Sequence, residues 1–475
     1  MKRTITASLI KWKNEQPRKP LLLRGARQVG KTYALKEFGR EQFPRSWYLN
    51  FEEDESLARY FAEDLHPERL LEEFRFHFGG AIDPRQDLLI FDEIQRCPRA
   101  ITSLKYFCEE LPDLAICAAG SLLGLTLNSE SFPVGKVSFL NMYPMNFLEY
   151  LEGIQEDDLA GCLRDYTGEK PFPAAAHEQL WDCWKSYLLV GGLPEVVNTF
   201  RELRQDRYAA MQSVRKLQRD LINGYLADVA KHSGKVSAMH IERLWKSVPA
   251  QLARIQDGTA PKFRFRDAIP GLRGYDRLAG PLDWLERANL VMRSFILNTA
   301  GVPLSGFVKE TAFKLYFFDT GMLNAMSGLP PEVILRYGFG SYQGYVAENF
   351  VAQELRASGD EMLHCWQGRT SEVEFLIEAG AGVVPWEVKS GRVVHSKSLS
   401  VFEDRYQPRL SYVLSAKNEI TSSGSRRRHI PLYAAGIIRR LIGKTIFDFA
   451  GSLPGMGISL DEIHEQAIEA GVTEA

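Results

Sequence analysis

Eight residues near the N-terminus carry the sharpest chemistry in the chain: Gly25-Ala26-Arg27-Gln28-Val29-Gly30-Lys31-Thr32. Two glycines followed by Lys and Thr at this spacing form the pattern of a phosphate-binding loop. The glycines let backbone N–H groups turn inward onto phosphate oxygens, and a helix that follows adds positive potential at its N-terminus. Lys31 would reach the β- and γ-phosphates of ATP, and the Thr32 hydroxyl would bind Mg²⁺. Hydrolysis also needs an acid to hold the metal and a group to position water. Asp92-Glu93 supplies both at the end of the apolar run Leu88-Leu89-Ile90-Phe91. There Asp92 would hold Mg²⁺ through water, and Glu93 would orient or deprotonate the attacking water. The plainer alternative is an acidic pair that caps the next helix.

A second group of charged residues lies near the C-terminus. Glu348 shares a helical face with Val351, Ala352 and Leu355, so a carboxylate points inward with apolar neighbours. That placement is costly unless the group is paired or binds metal. Glu374 falls in the strand-like run Glu372–Ile377, and Trp386-Glu387-Val388-Lys389 follows. In a strand, Glu387 and Lys389 share one face. Glu348, Glu374 and Glu387 could hold a second Mg²⁺, with Lys389 orienting water or stabilising phosphate charge. The alternative is a structural Glu387–Lys389 pair.

The elements that must position these groups can be read from hydrophobic pattern. Leu21–Leu23, Trp47–Phe51, Leu88–Phe91, Leu114–Ala119 and Val137–Met142 read as strands, and Tyr33–Phe43 as a helix. The expected fold class is α/β: a parallel sheet with helices on both faces, whose strand C-termini carry the site. Ser121, just after the fourth strand, is the candidate γ-phosphate sensor; the alternative is a turn serine. Further on, Trp181–Val190 and Arg201–Ala230 read as helices of a lid. Ile241–Arg254 reads as an amphipathic helix, Lys262-Phe263-Arg264-Phe265-Arg266 as a basic strand, Tyr275–Ala288 as a helix and Leu290–Leu297 as a strand. That order resembles a winged helix, with Lys262, Arg264, Arg266 and Arg273 as candidate DNA contacts. Packing or protein contact is the other use of such a module.

Several segments together resemble a family. Arg24–Thr32, Phe91-Asp92-Glu93-Ile94-Gln95, Ala119-Gly120-Ser121, Tyr143-Pro144-Met145-Asn146-Phe147, Val190–Glu195 and Phe313–Gly321 are similar to motifs of prokaryotic AAA-type ATPases with a C-terminal domain of unknown function. The resemblance runs from about Leu21 to Leu432. It implies ATP, Mg²⁺ and an additional-strand sheet that uses a catalytic Glu. One departure is Gly135-Lys136-Val137, where members usually have Gly-Arg-Val. Lysine keeps the charge and loses the planar fork. Arg27 and Arg96 are two other candidate phosphate-facing arginines. The order Glu348, Glu374, Glu387-Val388-Lys389 resembles the PD-(D/E)XK nuclease fold, in which the middle acid is usually Asp. Glutamate is one methylene longer, and Mg²⁺ demands tight geometry.

Composition bounds the rest. Of 475 residues, 25% are charged and the net charge is −2, so the chain as a whole is no polycation. Locally, residues 201–280 hold 16 Lys plus Arg against 8 Asp plus Glu, a surface that could face phosphates. Residues 341–440 are nearly balanced, 13 against 11. The six cysteines form no Cys-x-x-Cys pair, which argues against a zinc site or a disulfide framework. Without an apolar membrane-length run or a signal-peptide core, the expected location is the cytoplasm, with no membrane partner. The expected domains are 1–150 (ATPase), 151–235 (lid), 236–335 (winged helix), 336–442 (small α/β nuclease-like domain) and 443–475, a tail with a capping box at Ser459-Leu460-Asp461-Glu462. ATP is the expected ligand. DNA, a protein partner or a second copy of the chain are the candidate macromolecular partners.

Overall fold

The computed structural model describes residues 1–475 except 122–131, 234, 254–261, 273, 339, 341, 392–395, 420–424 and 444–475. The tail and its capping box, and Arg273, therefore lie outside the described residues. Two compact units are present. The first holds Met1–Met145 with Leu193–Glu195 and Pro281–Leu290; the second holds the remainder.

In the first unit, five strands form a parallel sheet: β1 (Leu21–Arg24), β2 (Arg45–Asn50), β3 (Asp87–Asp92), β4 (Ala115–Gly120) and β5 (Ser138–Asn141). Their order is β2-β3-β4-β1-β5. β4 thus stands between the loop-bearing β1 and the acid-bearing β3, the additional-strand arrangement. Helices flank the sheet: α1 (Ile5–Asn14), α2 (Lys31–Gln42), α3 (Pro67–Phe78) and α4 (Pro98–Glu110). Every residue of β3 and of β4 is buried, including Asp87 and Asp92, which bracket the apolar run Leu88–Phe91. The core beside β3 is aromatic. Phe91 meets Phe51, Phe61 and Phe74 edge-on, with ring centroids 5.7–6.1 Å apart. Each such buried ring contributes about 2–3 kcal/mol by burial.

The second unit is built on seven strands: β6 (Val291–Leu297), β7 (Phe313–Phe317), β8 (Leu363–Gln367), β9 (Glu372–Ala379), β10 (Gly382–Val388), β11 (Ser411–Ser415) and β12 (Arg427–Pro431). Their order is β12-β11-β10-β9-β8-β6-β7. β8, β9 and β10 pair antiparallel, and β11 runs parallel to β10. Helices Ala174–Val190, Arg207–His232, Lys235–Ala253 and Tyr342–Ala357 are the longest in this unit. None of the described helices is long and apolar enough to cross a membrane.

Two expectations for residues 236–335 need correction. The strand expected over Lys262–Arg266 is absent: Phe263 donates one backbone bond to the Phe313 carbonyl, 2.9 Å, and a short helix, Phe265–Ala268, follows. Both rings are held by packing instead of a strand ladder. Phe263 stacks on Phe313 at 5.5 Å, and Phe265 lies edge-on to Phe313 and Tyr275 at 5.8 Å. The strand expected at Leu290–Leu297 is β6, but it belongs to the large sheet, paired to β7 and, in parallel, to β8. The expected division between 335 and 336 therefore runs through one sheet.

Candidate functional site

The phosphate loop follows β1, and each glycine has a steric reason. A Cβ on Gly25 would sit 2.1 Å from the Met142 carbonyl oxygen, so the loop and the end of β5 meet backbone to backbone. Gly30 has φ +97 and hands the chain to α2. Gln28 also takes a left-handed φ, +62. Arg3, which the sequence reading passed over, braces this loop. Its guanidinium donates to the Val29 carbonyl and to the Tyr143 carbonyl, both at 2.7 Å. Nothing in the sequence marks Arg3 apart from other surface arginines.

Lys31 is buried, and its ammonium donates to the loop's own carbonyls, Gly25 at 3.0 Å and Ala26 at 2.7 Å. Burial pulls its pKa down to about 8, against the opposing pull of Glu93 and Asp92. The Thr32 hydroxyl donates to Asp92 Oδ2 at 2.6 Å, so the two expected magnesium ligands from α2 and β3 are already side by side. Tyr48 on β2 donates to the same oxygen at 2.8 Å, and burial beside Asp92 pushes its phenol up. Tyr48 was also missed; its position opposite Ile90 on the neighbouring strand is a register fact. Asp92 Oδ1 accepts the Glu93 N–H at 3.0 Å. Glu93 has φ +49, a strained conformation for a glutamate of the kind found at functional sites. Burial raises its carboxyl, and Gln95 donates to it. Ser121 is buried directly after β4, and its hydroxyl accepts from Arg27 Nε at 3.3 Å. The structure thus gathers Gly25 to Thr32, Asp92, Glu93 and Ser121 at the C-terminal ends of the parallel strands. This donor set fits MgATP: a loop of backbone with no side chains at its closest approach, a buried cation bound only to carbonyls, and a hydroxyl beside a carboxylate.

Lys136 is elsewhere. It precedes β5, whose register with β1 puts it at the N-terminal edge of the sheet, opposite the loop. Its ammonium pairs with Glu109 at 3.0 Å. Arg96 turns to Glu52 at 2.5 Å. Of the arginines weighed from sequence, Arg27 is the one whose guanidinium reaches another site residue, Ser121; Arg96 meets Glu93 only through its backbone N–H, at 2.9 Å.

The C-terminal acids also meet, with a different outcome. Glu348 lies on the helix Tyr342–Ala357, Glu374 on β9 and Glu387 on β10, each 1% exposed. Glu348 accepts from Tyr316 at 2.8 Å and from Lys314 at 3.3 Å, and Lys314 also pairs with Glu372. Glu374 accepts the Val388 N–H at 3.0 Å, and Lys389 pairs with Glu387 at 2.6 Å. Burial and the neighbouring Glu387 push Glu374 well up, and burial also raises Glu387. Among the described residues no group of three His, Cys, Asp or Glu is arranged to hold a metal ion. The expected second Mg²⁺ is not supported. The reason is Lys314, a wholly buried cation that the sequence reading missed, which already neutralises the cluster from β7. Burial pulls its pKa down, and Glu348 and its neighbours outweigh that and hold it well above the usual value.

Two further motifs lock together within the second unit. Asp319 Oδ2 accepts the Gly192 N–H at 2.6 Å and Oδ1 accepts the Met322 N–H at 2.9 Å, capping the helix Thr320–Met326. Val190–Gly192 and Asp319–Gly321 are therefore a packing joint.

Comparison with known families divides the chain in three. Residues 17–151 match the model of an AAA domain. Residues 182–333 and 343–435 match two domains of unknown function, DUF8612 and DUF4143. No curated protein matches the chain. Among solved structures, the chain is similar to the Walker-type ATPase PABY2304 of Pyrococcus abyssi, with 16% identity over 68% of this chain and 95% of that one, TM-score 0.43. It is also similar to the Aeropyrum pernix ORC1 protein in complex with DNA, with 14% identity over 70% and 95%, TM-score 0.30. AMPPCP-bound DnaA from Aquifex aeolicus has 14% identity over 60% and 87%, TM-score 0.28. The first unit thus holds the stretch that matches an AAA domain, apart from residues 146–151.

Proposed function

We propose that the chain hydrolyses ATP at the end of the parallel sheet and uses the nucleotide cycle to control the second unit. The observation that carries this reading is the 2.6 Å contact between Thr32 and Asp92 beside the buried Lys31. ATP phosphates would replace the Gly25 and Ala26 carbonyls as partners of Lys31. Thr32 and Asp92 would hold Mg²⁺, which supplies charge neutralisation at the β- and γ-oxygens. Glu93 would position water and accept its proton, and Ser121, braced by Arg27, would register the γ-phosphate. Steady-state turnover with Mg²⁺ tests the assignment. Glu93→Gln should retain ATP and lose on the order of 10²–10³ in rate. Lys31→Ala should lose binding. Full turnover by Glu93→Gln would remove Glu93 from the mechanism.

A second reading, that DNA steers the ATPase, is favoured by Lys262, Arg264 and Arg266, all exposed within the basic stretch. Stimulation by DNA that these three neutralised together abolish would support it. For the C-terminal acids we favour a structural role over nuclease chemistry, because Lys314 and Lys389 neutralise them internally.

A further inference from the structure

The second unit contains a cavity of about 570 Å³, between the helices Phe147–Gly153, Ala174–Val190 and Arg207–His232. That volume lies in the range of small-molecule sites. The site is independent of the nucleotide loop. Its apolar wall includes Leu189, Phe200 and Met211. Tyr150 also lines it and is fully buried.

The rim is charged and unevenly compensated. Lys185 pairs with Asp182 at 2.6 Å. Arg204 pairs with Glu156 at 3.0 Å and donates to the Ile154 carbonyl at 2.7 Å. Arg207 is exposed, lines the cavity and has no side-chain partner among the described residues. The neighbouring Asp206 directs its carboxylate to the Ala209 N–H, 3.0 Å. One uncompensated cation therefore stands over an apolar cavity.

We propose that this cavity binds a small amphipathic anion: an apolar or aromatic body against Leu189, Phe200 and Met211, and an anionic group at Arg207. The probe for the test is dansylglycine, which combines a naphthalene ring, sulfonamide oxygens and a carboxylate. It is titrated by fluorescence into the full chain. One saturable site is expected. Arg207→Glu should weaken binding about tenfold, the scale of a lost charge-assisted bond. Arg405→Glu, an exposed charge reversal away from the cavity lining, should leave it unchanged. Arg207 begins its helix, where glutamate is favourable, so the variant should fold; melting curves check this. Non-saturable binding overturns the proposal. So does an Arg207→Glu effect no larger than that of Arg405→Glu.

Discussion

At the scale of single residues, Lys31 decides how the nucleotide site responds to pH. Its pKa of about 8 in the free protein comes from burial, and phosphate oxygens would raise it on binding. The sign follows directly. Below pH 8 the ammonium is already charged and affinity is flat. Above pH 8 the free protein holds neutral Lys31, and binding must take up a proton. The dissociation constant for a non-hydrolysable ATP analogue with Mg²⁺, measured on the parent chain from pH 7 to 9.5, should rise toward tenfold per pH unit above 8. Calorimetry in two buffers of different ionisation enthalpy should show proton uptake at pH 9. A flat affinity without uptake would mean that Lys31 stays charged in the free loop. The residues of this site that sequence named are the contiguous ones, Gly25 to Thr32 and Asp92-Glu93, because a local motif encodes a local geometry, and Ser121, because it directly follows an apolar strand. Arg3 and Tyr48 were not legible: each reaches the site by a contact distant in sequence.

At the scale of elements, period-two alternation failed at Lys262–Arg266 because two aromatic rings satisfied by Phe313 and Tyr275 mimic one face of a strand. Runs such as Leu88–Phe91 did not mislead, since a continuous apolar strand between other strands has no competing use for its side chains. The second unit also shows what a glycine is for. A Cβ on Gly321 would lie 2.5 Å from the Gly191 nitrogen and the Val190 carbonyl group, in a joint made of backbone that cannot move aside cheaply. Gly321→Ala should therefore cost about 3 kcal/mol or more in unfolding free energy. Gly161 is the contrast. It sits inside the helix Asp157–Arg164 with nothing within 4 Å of a new Cβ. Gly161→Ala should stabilise by about 0.5–1 kcal/mol. Urea midpoints of the two variants read both numbers. Equal effects would mean that the joint at Gly191 relaxes freely.

At the scale of the whole molecule, the extent of the second unit was hidden because β6–β8 pairing joins segments far apart in sequence, and no periodicity reports its partner strand. That unit also buries carboxyls that the mechanism does not use, and they set the stability of the chain against pH. Burial raises Asp319 to about 6 and Glu354 to about 8. Glu354 is the stronger case. It accepts the Phe147 N–H at 2.8 Å, and Gly436 leaves room for its other oxygen, which would lie 2.2 Å from a Cβ there. A carboxyl whose folded pKa is raised stabilises fully below its unfolded value. Its contribution drains away as pH rises, because the unfolded chain ionises first, and it is exhausted once pH passes the folded value. From Glu354 alone the slope between about pH 4.5 and 8 is on the order of 1.4 kcal/mol per unit. Glu354→Gln keeps an acceptor for the Phe147 N–H and removes the titration. Its unfolding free energy should vary less between pH 6 and 9 than that of the parent chain, and at pH 9 the variant should be the more stable by about 2–4 kcal/mol. Parallel curves for the two proteins would show that Glu354 is already ionised in the folded chain, and that the amide of Phe147 outweighs its burial.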